Sequence, residues 1–219
     1  MKSAIAQYFR GWIDHPHLGR RITIAVISTI MMGLCVLAFE RLDVGTDPFS
    51  CVCIGISNLL GIDLGHVEAV VHIVTLCIVL FVAKEMFGFG SLANMFLVGY
   101  SHDFFKWATG DLIPNAPEMG TRILLFIPFA ALFLISVSSY VAAGLGTSPY
   151  DAAPIIIHRK LARQNPKLPS MAVRIAWDAL FTIVGILLAG PFGAVTVACV
   201  LFLGPLITWI SNFMKRFIA

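Results

Sequence analysis

The chain alternates long apolar runs with short polar breaks, and the runs come in two lengths. The longer ones lie at about residues 22–39, 67–83, 91–108, 122–143, 170–189 and 192–213. Each approaches the ~20 apolar residues that a helix needs to cross a bilayer. Two shorter segments, 48–60 and 149–161, would reach only ~20 Å as helices, against a hydrocarbon core of ~30 Å. They are expected to be re-entrant or buried. The breaks are sharp: Glu40-Arg41-Leu42-Asp43 closes the first run, Gly61-Ile62-Asp63-Leu64-Gly65 closes the first short segment, and Gly190-Pro191 separates the last two runs. Pro128 lies inside the fourth run and predicts a kink.

The plan occurs twice. Val44-Gly45-Thr46-Asp47-Pro48-Phe49-Ser50 and Leu145-Gly146-Thr147-Ser148-Pro149-Tyr150-Asp151 each follow a long run and open a short segment. Phe89-Gly90 echoes Phe192-Gly193 ahead of the last run of each half. The expected fold is an all-α integral membrane protein of about six transmembrane helices, arranged as two three-helix repeats. The first repeat covers 22–108 and the second 121–213, joined by a loop at 109–120. Residues 214–219 form a cytoplasmic tail. Residues 1–21 are expected to be an interfacial amphipathic segment on the cytoplasmic surface, because Ile5, Phe9 and Trp12 recur at helical spacing. They do not read as a secretory signal, since charge persists to Arg21 and no small-residue cleavage site follows the apolar run.

Composition agrees with this pattern. Hydrophobic residues make up 58% of the 219 and charged residues 12%, with a mean hydropathy of +0.89. A soluble domain is roughly a quarter charged. The net charge of +3 is small, but its placement gives orientation. Basic residues precede the first run, crowd 158–167 (His158, Arg159, Lys160, Arg163, Lys167) and close the chain, whereas 109–120 holds no Lys or Arg. Basic clusters mark the cytoplasmic side. An odd number of spans per half then makes the repeats inverted, with both termini in the cytoplasm. If the short segments crossed, each half would have an even number of passes and the repeats would be parallel. The basic run between two apolar segments belongs to a membrane flank, not to a nucleic-acid site.

Gly-Thr-x-Pro-aromatic, Gly55-Ile56-Ser57, Gly61-Ile62, Gly65, Gly88-x-Gly90-x-Leu92-x-Asn94 and Gly99-x-x-x-Asp103 together resemble the YczE/YitT-type (YczE/YyaS/YitT) bacterial membrane proteins. Gly144-Leu145-Gly146-Thr147-Ser148-Pro149-Tyr150-Asp151 carries the same likeness in the second half, and the resemblance spans about 22–213. It departs at Ser50, where the pattern has an acid, and after Asp151, where Pro154 and His158-Arg159-Lys160 replace a plainer helix. The resemblance implies a multi-pass protein of the bacterial cytoplasmic (inner) membrane. It implies no substrate.

Chemistry is expected in two places. Glycine admits backbone conformations closed to other residues, and proline opens a helix without losing a hydrogen bond. Thr46 or Thr147, with Asp47 or Ser148, can cap the start. Each turn would aim a half-helix N-terminus into the protein, a transporter device that favours anionic groups. Alternatively, these are capped turns that fit the halves together. Ionisable residues within spans are the second pointer, because hydrocarbon makes them costly. Glu68 and His72, and Arg174 and Asp178, are i,i+4 pairs on corresponding spans. Expected at the two mouths of one central cavity, they make Asp178, Arg174, Asp151 and the turn residues the candidate substrate or ion site. A plain Arg174–Asp178 salt bridge is the alternative reading, and a solvated, interfacial place is the alternative for Glu68. Asn94, with His102-Asp103, is a second-line candidate.

The five cysteines lie in apolar segments without metal or disulfide spacing, and Asp14-His15-Pro16-His17 reads as a solvated loop. No metal, cofactor or catalytic constellation is expected, and hence no enzyme. The expected partners are the lipid bilayer and a small-molecule substrate, with a homodimer or a cytoplasmic protein partner left open. The leading reading is a secondary-transporter-like protein moving a small anionic or zwitterionic metabolite. The rival is a non-transporting scaffold that anchors or regulates a cytoplasmic enzyme through the basic loop.

Overall fold

The computed structural model describes residues 16–83, 86–110 and 112–218, and these are helical apart from short connections. In chain order the helices are α1 (Leu18–Arg41), α2 (Pro48–Leu60), α3 (Leu64–Ala83), α4 (Phe89–Thr109), α5 (Met119–Ala143), α6 (Pro149–Leu161) and α7 (Ser170–Leu187). The last, α8, runs as Ala194–Ala198, a π-helical turn over Cys199–Leu203, and Gly204–Ile218. The expected amphipathic segment falls mostly outside the described residues.

Both short segments form where the apolar pattern ends them. Proline opens each, and α2 stops at Gly61, whose φ of 64° suits the left-handed C-cap. Among the described residues four helices, α1, α5, α7 and α8, are long and apolar enough to cross a membrane. The six expected runs thus divide unequally. α3 has 20 residues and α4 has 21, but α4 carries His102, Asp103 and Lys106, which lower its apolarity. Pro128 lies within α5, which continues through it.

The surface is inverted relative to a soluble protein. Val70, Val74 and Ile78 on one face of α3 are 60%, 59% and 65% exposed, while Glu68 and His72 on the other face are 0% and 2% exposed. Leu124, Leu180, Ile183 and Leu187 are likewise exposed. Water would not tolerate so extensive an apolar surface, whereas hydrocarbon is its natural solvent. This is an all-α membrane protein.

With little hydrophobic drive between helices in lipid, close approach at small residues holds them together. Gly33 of α1 abuts the Val98–His102 stretch of α4, and Gly65 of α3 faces Gly99 of α4. Gly185 and Gly190 bracket Cys51 of α2. α1 packs on α4 and α5, and α5 packs on α8. At the centre α2 lies against α7 and α3, and α6 lies against α3 and α7. Each short helix therefore touches the long helix that follows the other short helix.

Candidate functional site

The two Gly-Thr-x-Pro turns are built alike, and each is held by the far half of the chain. Thr46 N donates to Pro191 O at 3.2 Å, and Thr147 N donates to Met86 O at 3.0 Å. Val195 N donates to Val44 O at 3.0 Å, and Gly90 N to Leu145 O at 2.7 Å. Gly45 and Gly146 have φ of 85° and 110°, and their α-carbons lie so close to Gly193 and Gly88 that a β-carbon would collide with that backbone. Opposite each turn a hydroxyl receives the helix-entry amide: Ser91 Oγ from Gly88 N at 3.1 Å, Thr196 Oγ1 from Gly193 N at 3.3 Å. The matching caps are therefore Gly88 and Gly193. This moves the register by two from the Phe89-Gly90 and Phe192-Gly193 echo in sequence.

Asp47 caps α2 by accepting from Ser50 N at 3.1 Å, and Ser148 caps α6 by accepting from Asp151 N at 3.1 Å. Ser148 Oγ also donates to Asp151 Oδ2 at 2.7 Å. The threonines do not cap. Thr46 is fully buried, and Thr147 contributes its carbonyl, which accepts from Ser91 Oγ at 2.7 Å. Ser50, the departure from the family pattern, now has an explanation: acid and hydroxyl have exchanged places, so each half-helix start keeps one carboxylate. The anion that a helix N-terminus favours is supplied by the chain itself.

Beside the second turn, Arg174 joins two acids. Its Nη1 donates to Asp151 Oδ1 at 2.7 Å and its Nε to Asp178 Oδ2 at 2.8 Å. Tyr150 donates its hydroxyl to Asp178 Oδ1, and the guanidinium lies 5.5 Å from the Tyr150 ring centroid. Asp178 is nearly sealed, at 4% side-chain exposure, whereas Asp151 is 35% exposed. The Arg174–Asp178 bridge is present, but as part of a four-residue cluster open at Asp151.

Glu68 and His72 share the buried face of α3. Glu68 is 0% exposed, so the alternative of a solvated place does not hold: α3 and α4 approach closely at Gly65 and Gly99 and close over it. Both Glu68 carboxylate oxygens and His72 Nδ1 lack hydrogen-bond partners among the described residues. The His72 ring stacks on Phe49 at 4.3 Å, and Phe49 meets Tyr150 at 5.2 Å. The aromatic residues opening the two short helices thus bridge the α3 pair to the α7 cluster. Asn94 on α4 is 9% exposed.

The cavity that stands out lies elsewhere. About 450 Å³ opens between the C-terminal ends of α1, α2 and α4 and the turn before α3. Its wall includes neither the Glu68–His72 nor the Arg174–Asp178 pair. Instead it holds Glu40, Asp63, His102, Asp103 and Lys106. His102 Nε2 faces Glu40 Oε2 at 2.8 Å and Nδ1 faces Asp103 Oδ1 at 3.0 Å, while Asp103 Oδ2 accepts from Gly65 N at 2.6 Å. Sequence reasoning ranked His102-Asp103 low and missed Glu40, which looked like a polar stop. Its distance of 62 positions from His102 leaves no local signal. Among the described residues no group of His, Cys, Asp and Glu has the arrangement of a metal site.

Residues 19–212 match DUF6198, described as a family of unknown function. The chain belongs to this family. It is 22% identical over 191 residues to the uncharacterized protein YyaS of Bacillus subtilis (strain 168), covering 87% of this chain and 92% of that protein. It is 25% identical over 134 residues to the uncharacterized membrane protein YczE of the same organism, covering 58% of this chain and 60% of that one. The YczE/YyaS-type membership implied by the Gly-Thr-x-Pro motifs is thereby shown. No solved structure matches the chain.

Proposed function

We propose that this DUF6198 protein is a small secondary-transporter-like protein of the bacterial inner membrane, built from two inverted three-span repeats and carrying a small anionic or zwitterionic metabolite. The observation that carries the reading is the reciprocal pair of Gly-Thr-x-Pro turns. Each places a short helix's capped start in the interior against the other half, and the two starts meet through Phe49 and Tyr150. Broken helices meeting within the bilayer, beside buried ionisable groups, suit alternating access. α3 and α4 complete the six spans, and both termini face the cytoplasm. The carboxylates at both half-helix starts favour a zwitterion, whose ammonium they can receive.

Asp178, Arg174 and Asp151 form the substrate or coupling-ion site, with the Asp47 and Ser148 turns shaping it and Glu68 and His72 next to it. The role is binding and translocation, without catalysis. A thermal-stability screen of the purified protein against a metabolite library tests this. A ligand at ~100 times its dissociation constant adds ~2.7 kcal/mol, and the hit should vanish in Asp178→Asn. Hits that survive Asp178→Asn would remove this cluster from the site. Activity lost instead on neutralising Arg159, Lys160 and Arg163, and indifferent to Asp178, would mark a cytoplasmic docking scaffold.

A further inference from the structure

The cavity at the ends of α1, α2 and α4 has a charge arrangement that selects its occupant. α1 ends at Arg41, α2 at Leu60 and α4 at Thr109, so three helix C-termini, which favour positive charge, lie near this space; Arg41 answers part of that demand by donating to Gly110 O and Ile113 O. Three carboxylates, Glu40, Asp63 and Asp103, stand in its wall with one lysine, Lys106. His102, 2% exposed, is fixed between Glu40 and Asp103, and only the doubly protonated ring donates to both. Three carboxyl groups against His102 and one lysine leave the wall predominantly acidic.

Two groups in this wall carry no side-chain hydrogen bond or ion pair among the described residues: the Asp63 carboxylate and the Lys106 ammonium. Both are exposed, so neither is committed to holding the fold. The Asn58 amide also lines the space. A volume of about 450 Å³ lies within the ~300–1,000 Å³ of small-molecule sites.

We propose that this cavity is a binding site for a small zwitterion, a primary ammonium with an anionic group a few bonds away. The ammonium sits against Asp63 and the outer oxygen of Glu40, under the three helix ends. The anionic group reaches Lys106, and the Glu40–His102–Asp103 chain holds the acids in place. A simple amine would leave Lys106 unanswered, and a simple anion would face the carboxylates. The chemistry is shared by free amino acids and by the phosphoethanolamine headgroup of a lipid. Trp107, 80% exposed at the rim, and the exposed Leu59, Leu60 and Ile62 put the opening within reach of either source. The inference deepens the transporter reading by naming a substrate class and an outer site, but binding here is measurable whether or not transport occurs.

The test is calorimetric titration of the full-length protein in detergent with glycine, serine and phosphoethanolamine, using ethanolamine and acetate as controls. A parallel arm uses nanodiscs containing phosphatidylethanolamine or phosphatidylglycerol. Saturable binding of a zwitterion is expected, at least tenfold weaker in Asp63→Asn and in Lys106→Gln. Binding lost in Asp178→Asn but kept in Asp63→Asn and Lys106→Gln would belong to the central cluster, so failure here is separable from failure of the central site. Amino-acid binding that phosphatidylethanolamine nanodiscs leave intact identifies a soluble ligand, and binding that they block identifies the headgroup. Controls binding as tightly as the zwitterions, binding that survives both substitutions, or no binding of any probe overturns the proposal.

Discussion

Arg174 is the residue on which the α7 cluster depends, because two carboxylates rely on one guanidinium. Removing one member of a buried ion pair costs ~3–5 kcal/mol, since the charge left behind has no water. Arg174→Gln should lower the stability by an amount toward this range in chemical denaturation. The part owed to Asp151 will be small, because water already screens that partly exposed acid. Tyr150→Phe should cost less, ~1–3 kcal/mol, by depriving Asp178 of its hydroxyl donor. Glu68 differs from these acids: it is fully buried, and neither of its oxygens has a hydrogen-bond partner among the described residues. Glu68→Gln replaces a fully buried carboxyl group by an uncharged amide of similar size, so the melting temperature should be no lower than that of the parent protein. A drop of more than a few degrees would mean that Glu68 has a structural partner.

The short helices are where local sequence and distant packing meet. Asp47→Ala and Ser148→Ala each remove a side-chain cap and should cost ~1 kcal/mol, within the range for such caps. Gly45→Ala and Gly146→Ala should cost several times more. Each combines a left-handed backbone with a β-carbon driven into Gly193 or Gly88 of the other half. Thermal unfolding of the four purified variants ranks them directly. Equal effects for cap and glycine variants would show that the turns need only a local helix start, without the close approach. The exchange of acid and hydroxyl between Asp47-x-x-Ser50 and Ser148-x-x-Asp151 makes a further expectation. The double variant Asp47→Ser, Ser50→Asp should retain the stability that Asp47→Ala loses.

For the whole molecule the decisive quantity is the number of crossings. Under the inverted arrangement, single cysteines at Asp63 and Asn115 react with an impermeant reagent from outside intact cells. Cysteines at Arg163 and Lys215 react only after lysis. Labelling of the Asp63 position from the cytoplasm alone would sink the inverted arrangement and leave the parallel one. The cavity at the ends of α1, α2 and α4 gives this measurement a functional meaning, because Asp63 stands in its wall.

Alternating apolar runs and breaks were enough, by themselves, to determine an all-helical membrane protein, both short helices and the motif that opens them. These features are local: a proline, a capping side chain and the length of an apolar run act within a few residues. The i,i+4 pairs on α3 and α7 were legible for the same reason, since helical periodicity alone puts them on one face. Tertiary structure decided which of these groups meet. The link from Phe49 to His72 and Tyr150, the burial of Glu68 under facing glycines, and the grip of Glu40 and Asp103 on His102 all join residues from different helices. Helix packing in lipid depends on how closely two backbones approach, and that distance is a property of both surfaces at once. A polar residue ending a helix therefore reads as a stop in the sequence, and becomes the wall of a cavity only when another helix brings its own charges beside it.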